Sequence, residues 1–332
     1  MARKKKDALS TDHQFTPYEQ TETDKNIFIC EKVKGFEIKH EFDIVNKAEY
    51  RLSGDDYYRK DVCMQPQQQE STEHYALILG ASSGFGKAAA LRLADAGFHI
   101  FGVHLDRQQN MPMVEELIHT LQDKGSKVTF FNINAANAEK RKEVVQKIRS
   151  QLSEDAKIKV MLHSLAFGTL KPFIGEGGPS VLSRANMIMT MDVMAHSMVY
   201  WTQELFGNHL LGYGSRIFAM TSHGSTNVLP YYGAVSAAKS ALESHIRQLA
   251  LELGSHGVTV NALKAGVTDT PALQKIPGHE RMIEISKRKN PSGRLTTPDD
   301  VARAIVNLCN MDAQWINGDV ISVDFGESVM DK

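Results

Sequence analysis

The sequence predicts an α/β fold: a doubly wound, mainly parallel sheet with helices on both faces. Three observations carry that reading. Strand-like and helix-like segments alternate along most of the chain. The strand-like runs are apolar throughout instead of at every second residue, as in strands buried on both sides. A glycine-rich turn joins the first of these runs to an Ala-rich helix.

Taken in order, the strand-like runs fall at 75–79, 99–105, 128–133, 158–166, 216–221, 259–263 and 320–323. Helical periodicity marks 86–96, 113–122, 138–151, 181–211, 234–253 and 299–309 between them. No internal repeat is visible.

Residues 1–73 differ from the rest and are expected to form an N-terminal extension to a main domain at 74–332. They are rich in Lys, Glu, Asp, Gln and Tyr and end in the polar tract Gln65-Pro66-Gln67-Gln68-Gln69-Glu70-Ser71, which reads as a linker. Within 26–44, Ile27 and Ile29, then Phe36, Ile38 and Phe42, alternate with polar residues around Lys34-Gly35. This predicts a β-hairpin that packs as an arm or binds a partner.

Composition narrows the function. The 332 residues are 42% hydrophobic and 23% charged, which fits a folded chain and not a disordered one. A formal net charge of -1 argues against general nucleic-acid binding, which needs a basic face. Cys30, Cys63 and Cys309 form no C-x-x-C pair, so a reducing, cytoplasmic setting is expected. No uncharged apolar stretch of about 18 residues occurs, so no membrane span is expected. No H-E-x-x-H motif, Cys/His cluster or pair of acids at ligand spacing appears, so no metal is expected.

The turn after the first run reads Leu79-Gly80-Ala81-Ser82-Ser83-Gly84-Phe85-Gly86-Lys87. A strand that ends in such a turn and opens a helix brings backbone N–H groups, and the positive end of the helix dipole, to a pyrophosphate. Dinucleotide binding by Gly80, Ser82, Ser83, Gly84, Phe85 and Gly86 is the reading that suits this context.

This G-x-x-x-G-x-G spacing, with the βα alternation, resembles the short-chain dehydrogenase/reductase family over about residues 75–326. The resemblance implies a seven-stranded Rossmann-type sheet, NAD(H) or NADP(H) as cofactor, and a homo-tetramer or dimer. It also assigns the ends of the strands. The second strand of the series ends in His104-Leu105-Asp106-Arg107, where the family reads the adenosine ribose. Acid and base are adjacent there, so NAD and NADP both stay open. Asn132 and Ile133 end the third strand, where the family meets adenine.

The catalytic pattern narrows the resemblance. The ordinary family places Tyr four residues before Lys on one helix; here Lys239 has Val235 at that place and Tyr232 seven residues before it. Ser222, seventeen residues before the Lys, stands where the family places its Ser. Offsets of four and seven both stay near the Lys face of a helix and differ in height by about 4.5 Å. Tyr-x6-Lys is the pattern of the divergent branch, the enoyl-acyl-carrier-protein reductases. His163-Ser164-Leu165-Ala166-Phe167, Lys239-Ser240-Ala241-Leu242-Glu243-Ser244 and Ala265-Gly266-Val267-Thr268-Asp269-Thr270 are similar to that branch. The glycine loop is of the ordinary family type, so the chain joins an ordinary front half to an enoyl-reductase-like back half.

The resemblance implies a catalytic set of Tyr232, Lys239 and Ser222. It implies cofactor contacts at Ser164, Leu165, Ala166, Lys239, Gly266 and Val267, with Thr268 holding the carboxamide and Thr270 the pyrophosphate. The expected reaction is reduction of the C=C bond of a 2-enoyl thioester, with Lys239 lowering the pKa of Tyr232. The segment 273–294, where the family places its mobile lid, carries Lys275, His279, Arg281, Lys287, Arg288 and Lys289, against Glu280 and Glu284. A basic edge of that kind suits an acyl carrier protein or coenzyme A. Reduction of another carbonyl or enone, and a non-catalytic cofactor-binding regulator, remain alternatives.

Overall fold

The computed structural model describes residues 26–33, 36–43, 73–176 and 180–330. The chain divides into two compact units, Met1–Cys63 and Met64–Lys332. The first contains an antiparallel pair, β1 (Asn26–Val33) and β2 (Phe36–Asp43), in the register Ile27↔Phe42 and Val33↔Phe36. These strands fall within the stretch read as a hairpin; its Lys34-Gly35 tip and the linker at 65–71 lie outside the described residues.

The second unit is built on seven strands: β3 (His74–Leu79), β4 (Phe98–His104), β5 (Val128–Asn132), β6 (Ile158–His163), β7 (Arg216–Thr221), β8 (Thr259–Ala265) and β9 (Val320–Val323). Their spatial order is β5-β4-β3-β6-β7-β8-β9, and all neighbours run parallel. Successive strands first step outward from β3 through β4 to β5, then return to its other side with β6. That reversal opens a crevice at the C-terminal ends of β3 and β6, the place where open α/β sheets bind ligands.

Helices cover both faces, which explains the unbroken apolar strands. On one face α1 (Gly84–Asp95), α2 (Met111–Asp123) and α8 (Pro298–Leu308) bury Ala89, Leu93, Leu117, Leu121, Val301 and Ile305 against Ile78, Ile100, Leu162 and Leu263. On the other, α3 (Ala138–Gln151), α4 (Arg184–Met191), α5 (Ser197–Gly207) and α6 (Gly233–Gly254) flank a core that includes Val145, Ile148, Trp201, Leu205, Leu242 and Ile246. Thr297 and Asp300 form a reciprocal cap at the start of α8, with Pro298 inside its first turn.

Two segments depart from the expected pattern. The single helix at 181–211 begins at Arg184 and is interrupted by a π-helical turn, Asp192–His196, between α4 and α5. No Pro or Gly marks the interruption. The helix expected to carry Tyr232 starts one residue later, at Gly233, with Tyr232 as its N-cap (φ −93°, ψ 1°). Tyr231 stands in the left-handed region at φ 64° and turns the chain into the helix. The basic segment at 273–294 holds a further helix, α7 (His279–Lys289). No helix among the described residues is long and apolar enough to cross a membrane.

Candidate active site

The glycine turn follows β3. Gly80 adopts φ 89°, and the N–H groups of Gly80 and Ala81 both donate to Val103 O, at 2.8 and 3.0 Å. A Cβ on Gly80 would lie 2.5 Å from Ser164 O, and one on Gly86 would lie 2.0 Å from Gly80 O. Neither position accepts a side chain. Ser83 opens α1 with no side-chain cap on the first-turn N–H groups. A cradle that side chains would fill, facing an uncapped helix N-terminus, fits a pyrophosphate. Thr270 comes to the same place: its Cγ2 is 3.7 Å from the position a Cβ on Gly84 would take. The turn at 80–86 and the loop after β8 thus meet across the crevice, although almost 190 residues separate them.

At the end of β4, His104 is buried and its Nδ1 lies 3.0 Å from Asp106 Oδ2. Asn110 Nδ2 donates to Asp106 Oδ1 at 3.2 Å, and Ser82 also bonds this carboxylate. Burial works against the charge, but the bonds with Ser82, His104 and Asn110 outweigh it and hold the Asp106 carboxyl below its ordinary value. Arg107 is exposed. Asn132 is engaged on both sides of its amide: Oδ1 accepts from Asp106 N at 3.0 Å and Nδ2 donates to Asp106 O at 2.9 Å. Asn132 therefore clips the loop after β4 in place. Ile133 N donates to His104 O at 2.8 Å, and its side chain packs on the core.

After β6, Ser164 N donates to Leu79 O at 2.9 Å, which ties this strand end to the glycine turn. Leu165 is half-buried beside Gly80, while Ala166 and Phe167 are exposed. His163 is fully buried. Ser197 Oγ donates to Val193 O at 2.7 Å and so accepts from His163 Nε2 at 2.9 Å; burial, with the Lys239 charge nearby, depresses this imidazole to about 3. It is a neutral core histidine. After β8, Gly266, Thr268 and Thr270 are buried; Thr268 Oγ1 donates to Gly266 O at 2.9 Å, and Thr270 Oγ1 accepts from Leu273 N at 3.2 Å.

Tyr232 and Ser222 come together. Their hydroxyl oxygens are 3.5 Å apart, and Ser222 Oγ accepts from Gly224 N at 3.2 Å. The Tyr232 ring rests on Gly224: a Cβ there would lie 2.4 Å from its Cε1. Lys239 is buried, and its Nζ donates to Met220 O at 2.6 Å. Burial pulls its pKa down to about 8, with Glu243 one turn later on α6 partly opposing the shift. Glu243 is held by Thr221 Oγ1 at 2.5 Å.

The expected lowering of the Tyr232 pKa by Lys239 is not found. Burial raises it, and only the Ser222 hydrogen bond acts in the opposite sense. Tyr232 is therefore a protonated donor at neutral pH.

Val235, four residues before Lys239, is buried and packs against Gly168, where a Cβ would lie 2.6 Å from its Cγ2. Sequence reasoning passed over Gly224 and Glu243. The signals were a glycine two residues after Ser222 and an acid four residues after Lys239. His223 Nε2 is 3.6 Å from Asp324 Oδ2. No group of three or more potential metal ligands occurs among the described residues.

A family model described as enoyl-(acyl carrier protein) reductase matches residues 80–328. The NADH-dependent enoyl-(acyl-carrier-protein) reductase FabI of Aquifex aeolicus (strain VF5) is 32% identical over 189 residues, 57% of this chain and 69% of that protein. BbsD of Thauera aromatica, a subunit of a substituted succinyl-CoA dehydrogenase, is 27% identical over 263 residues, 76% of this chain and 96% of its own. The crystal structure of the Aquifex aeolicus enoyl reductase superposes with a TM-score of 0.68 at 26% identity, covering 78% of this chain and 98% of that one. The chain belongs to the enoyl-(acyl carrier protein) reductase family of the short-chain dehydrogenase/reductases and is an NAD(P)-dependent oxidoreductase.

Proposed function

We propose that the protein reduces the C2=C3 bond of a 2-enoyl thioester, in fatty-acid synthesis in the cytoplasm. One observation carries the reading: a buried, protonated phenol at the N-cap of α6, seven residues before a buried lysine, with a buried valine at the four-residue place. Both curated relatives described above have thioester names, one on acyl carrier protein and one on coenzyme A.

Bound reduced nicotinamide supplies a hydride. The turn from Gly80 to Gly86 and Thr270 hold the pyrophosphate, Asp106 the adenosine ribose, and Asn132 and Ile133 flank the adenine. Ser164, Leu165, Ala166, Gly266, Val267 and Thr268 frame the nicotinamide half. Lys239 binds the ribose hydroxyls of that half.

On the substrate, hydride delivery to C3 moves charge to the thioester oxygen. Tyr232 donates a hydrogen bond to that oxygen as the enolate forms, and Ser222 adds a second donor. A proton reaches C2 from solvent. The basic last turn of α7, with Lys287, Arg288 and Lys289, meets an acidic carrier or the phosphates of coenzyme A. The active unit is a homo-dimer or homo-tetramer.

Crotonyl- and acetoacetyl-thioesters, each with NADH or NADPH, test the reading through loss of reduced-cofactor absorbance. Turnover of the enoyl substrate supports it; turnover of the keto substrate alone overturns it.

The pH profile supplies a second expectation. The charged form of Lys239 is the one that holds the ribose. Its pKa is lowered, so that form is present below about 8 and is lost as pH rises through that value. kcat/KM is expected to fall above about pH 8, and Lys239→Arg should move that limb upward. A profile flat to pH 10 would remove Lys239 from this role.

A further inference from the structure

The C-terminal turn carries a buried acid that neither the sequence motifs nor the catalytic set uses. Beyond β9, Phe325 and Gly326 both stand in the left-handed region, at φ 50° and 80°. That conformation is strained for an aromatic residue. Phe325 itself is largely exposed, so the strain does not bury its ring. What the turn achieves is to send the next residue, Glu327, back inside, where it is only 6% exposed.

Glu327 lies beneath the loop after β8. Its Oε1 accepts from Val267 N at 3.4 Å. Its Oε2 is buried with no hydrogen-bond partner. A Cβ on Gly266 would lie 2.7 Å from this Oε2 and 2.5 Å from Thr296 Oγ1. Gly266 therefore rests on a floor made by a carboxylate and a hydroxyl. A buried carboxylate with one bare oxygen is costly. An apolar side chain would fill the same space at lower cost, but it would leave the Val267 N–H without an acceptor.

The same turn reaches two other segments around the site. Asp324 accepts from Gly326 N and Ser328 N, each at 3.0 Å, and faces His223, the neighbour of Ser222. Asn290, just past α7, donates from Nδ2 to Asp324 O at 3.1 Å.

We infer that Glu327 is a positioning residue, which fixes the backbone of the loop at 266–270 by accepting the Val267 N–H beneath it. The inference rests on the reading above that this loop meets the nicotinamide half of the cofactor. Glu327 acts through the loop and not on the reacting atoms. It sets the affinity for the dinucleotide, and a side chain with the same acceptor in the same place replaces it.

The test is fluorescence titration of the full chain with NADH and with NADPH, beside thermal melting. Three variants are compared: Glu327→Met and Glu327→Gln, both of similar volume, and Thr270→Val as a control on the loop. Glu327→Met is expected to weaken binding of the preferred cofactor about tenfold, the cost of leaving the Val267 N–H without an acceptor. Glu327→Gln keeps the acceptor oxygen and is expected to bind within about twofold of the parent. Melting temperatures of the two are expected to be alike, which separates positioning from general stability. Equal weakening in Met and Gln overturns the inference. So does unchanged binding in Glu327→Met while Thr270→Val is weakened, which leaves the loop reading standing. Unchanged binding in both Glu327→Met and Thr270→Val overturns the loop reading and the inference with it.

Discussion

Tyr232→Phe is expected to lower kcat for a crotonyl thioester by about 10²–10³-fold, the usual cost of losing one oxyanion donor. The affinity for NADH is expected to stay unchanged. The substitution removes one oxygen and leaves the rest of the residue as it was. The ring still rests on Gly224, whose missing Cβ leaves room for it, and Tyr232 still caps α6 through its backbone. Burial keeps the phenol protonated, so the parent enzyme holds its donor across the neutral range. Ser222 Oγ, 3.5 Å from the phenol oxygen, remains as a second donor and sets the residual rate. Steady-state kinetics and fluorescence titration separate the two quantities. Equal turnover by parent and variant would take Tyr232 out of the chemistry.

Much of this site was legible because it depends on local order along the chain. The seven strands announced themselves as apolar runs, since both faces of the sheet are covered. The Tyr232 to Lys239 spacing is a property of one turn and one helix, and the helix begins one residue after the phenol. Tyr231 at φ 64° is what delays the start, and nothing in its residue type indicates that conformation. The π-helical turn at Asp192–His196 also has no local signature. Position 235 is a third case: its valine reads as an absence of tyrosine, and its close approach to Gly168 appears only in the fold. Glu327 was invisible for the same reason. In the sequence it is an acid beyond the last strand; the strained turn at 325–326 puts it under a loop sixty residues earlier.

NADH is expected to be preferred over NADPH by about 100-fold in kcat/KM, a like-charge penalty of a few kcal/mol. The sequence left this open because Asp106 and Arg107 are neighbours past the end of β4. The fold separates them. Asp106 bonds Ser82 of the glycine turn as well as His104 and Asn110, and its side chain is only 17% exposed. Its carboxylate thus faces the cradle itself. A ribose 2′-hydroxyl can donate to it, whereas a 2′-phosphate would bring a second negative charge against it. Arg107 would attract that phosphate, but it is exposed, and water weakens its pull far more than it weakens the repulsion from the enclosed carboxylate. Asp106 is therefore expected to decide the preference. Asp106→Ala is expected to lower kcat/KM for NADH and raise it for NADPH, closing most of the gap, while Arg107→Ala leaves NADH nearly untouched. The measurement is the ratio of the two kcat/KM values at fixed ionic strength. A parent enzyme that favours NADPH, or a ratio that Asp106→Ala does not move, would mean that the carboxylate serves the loop and not the ribose.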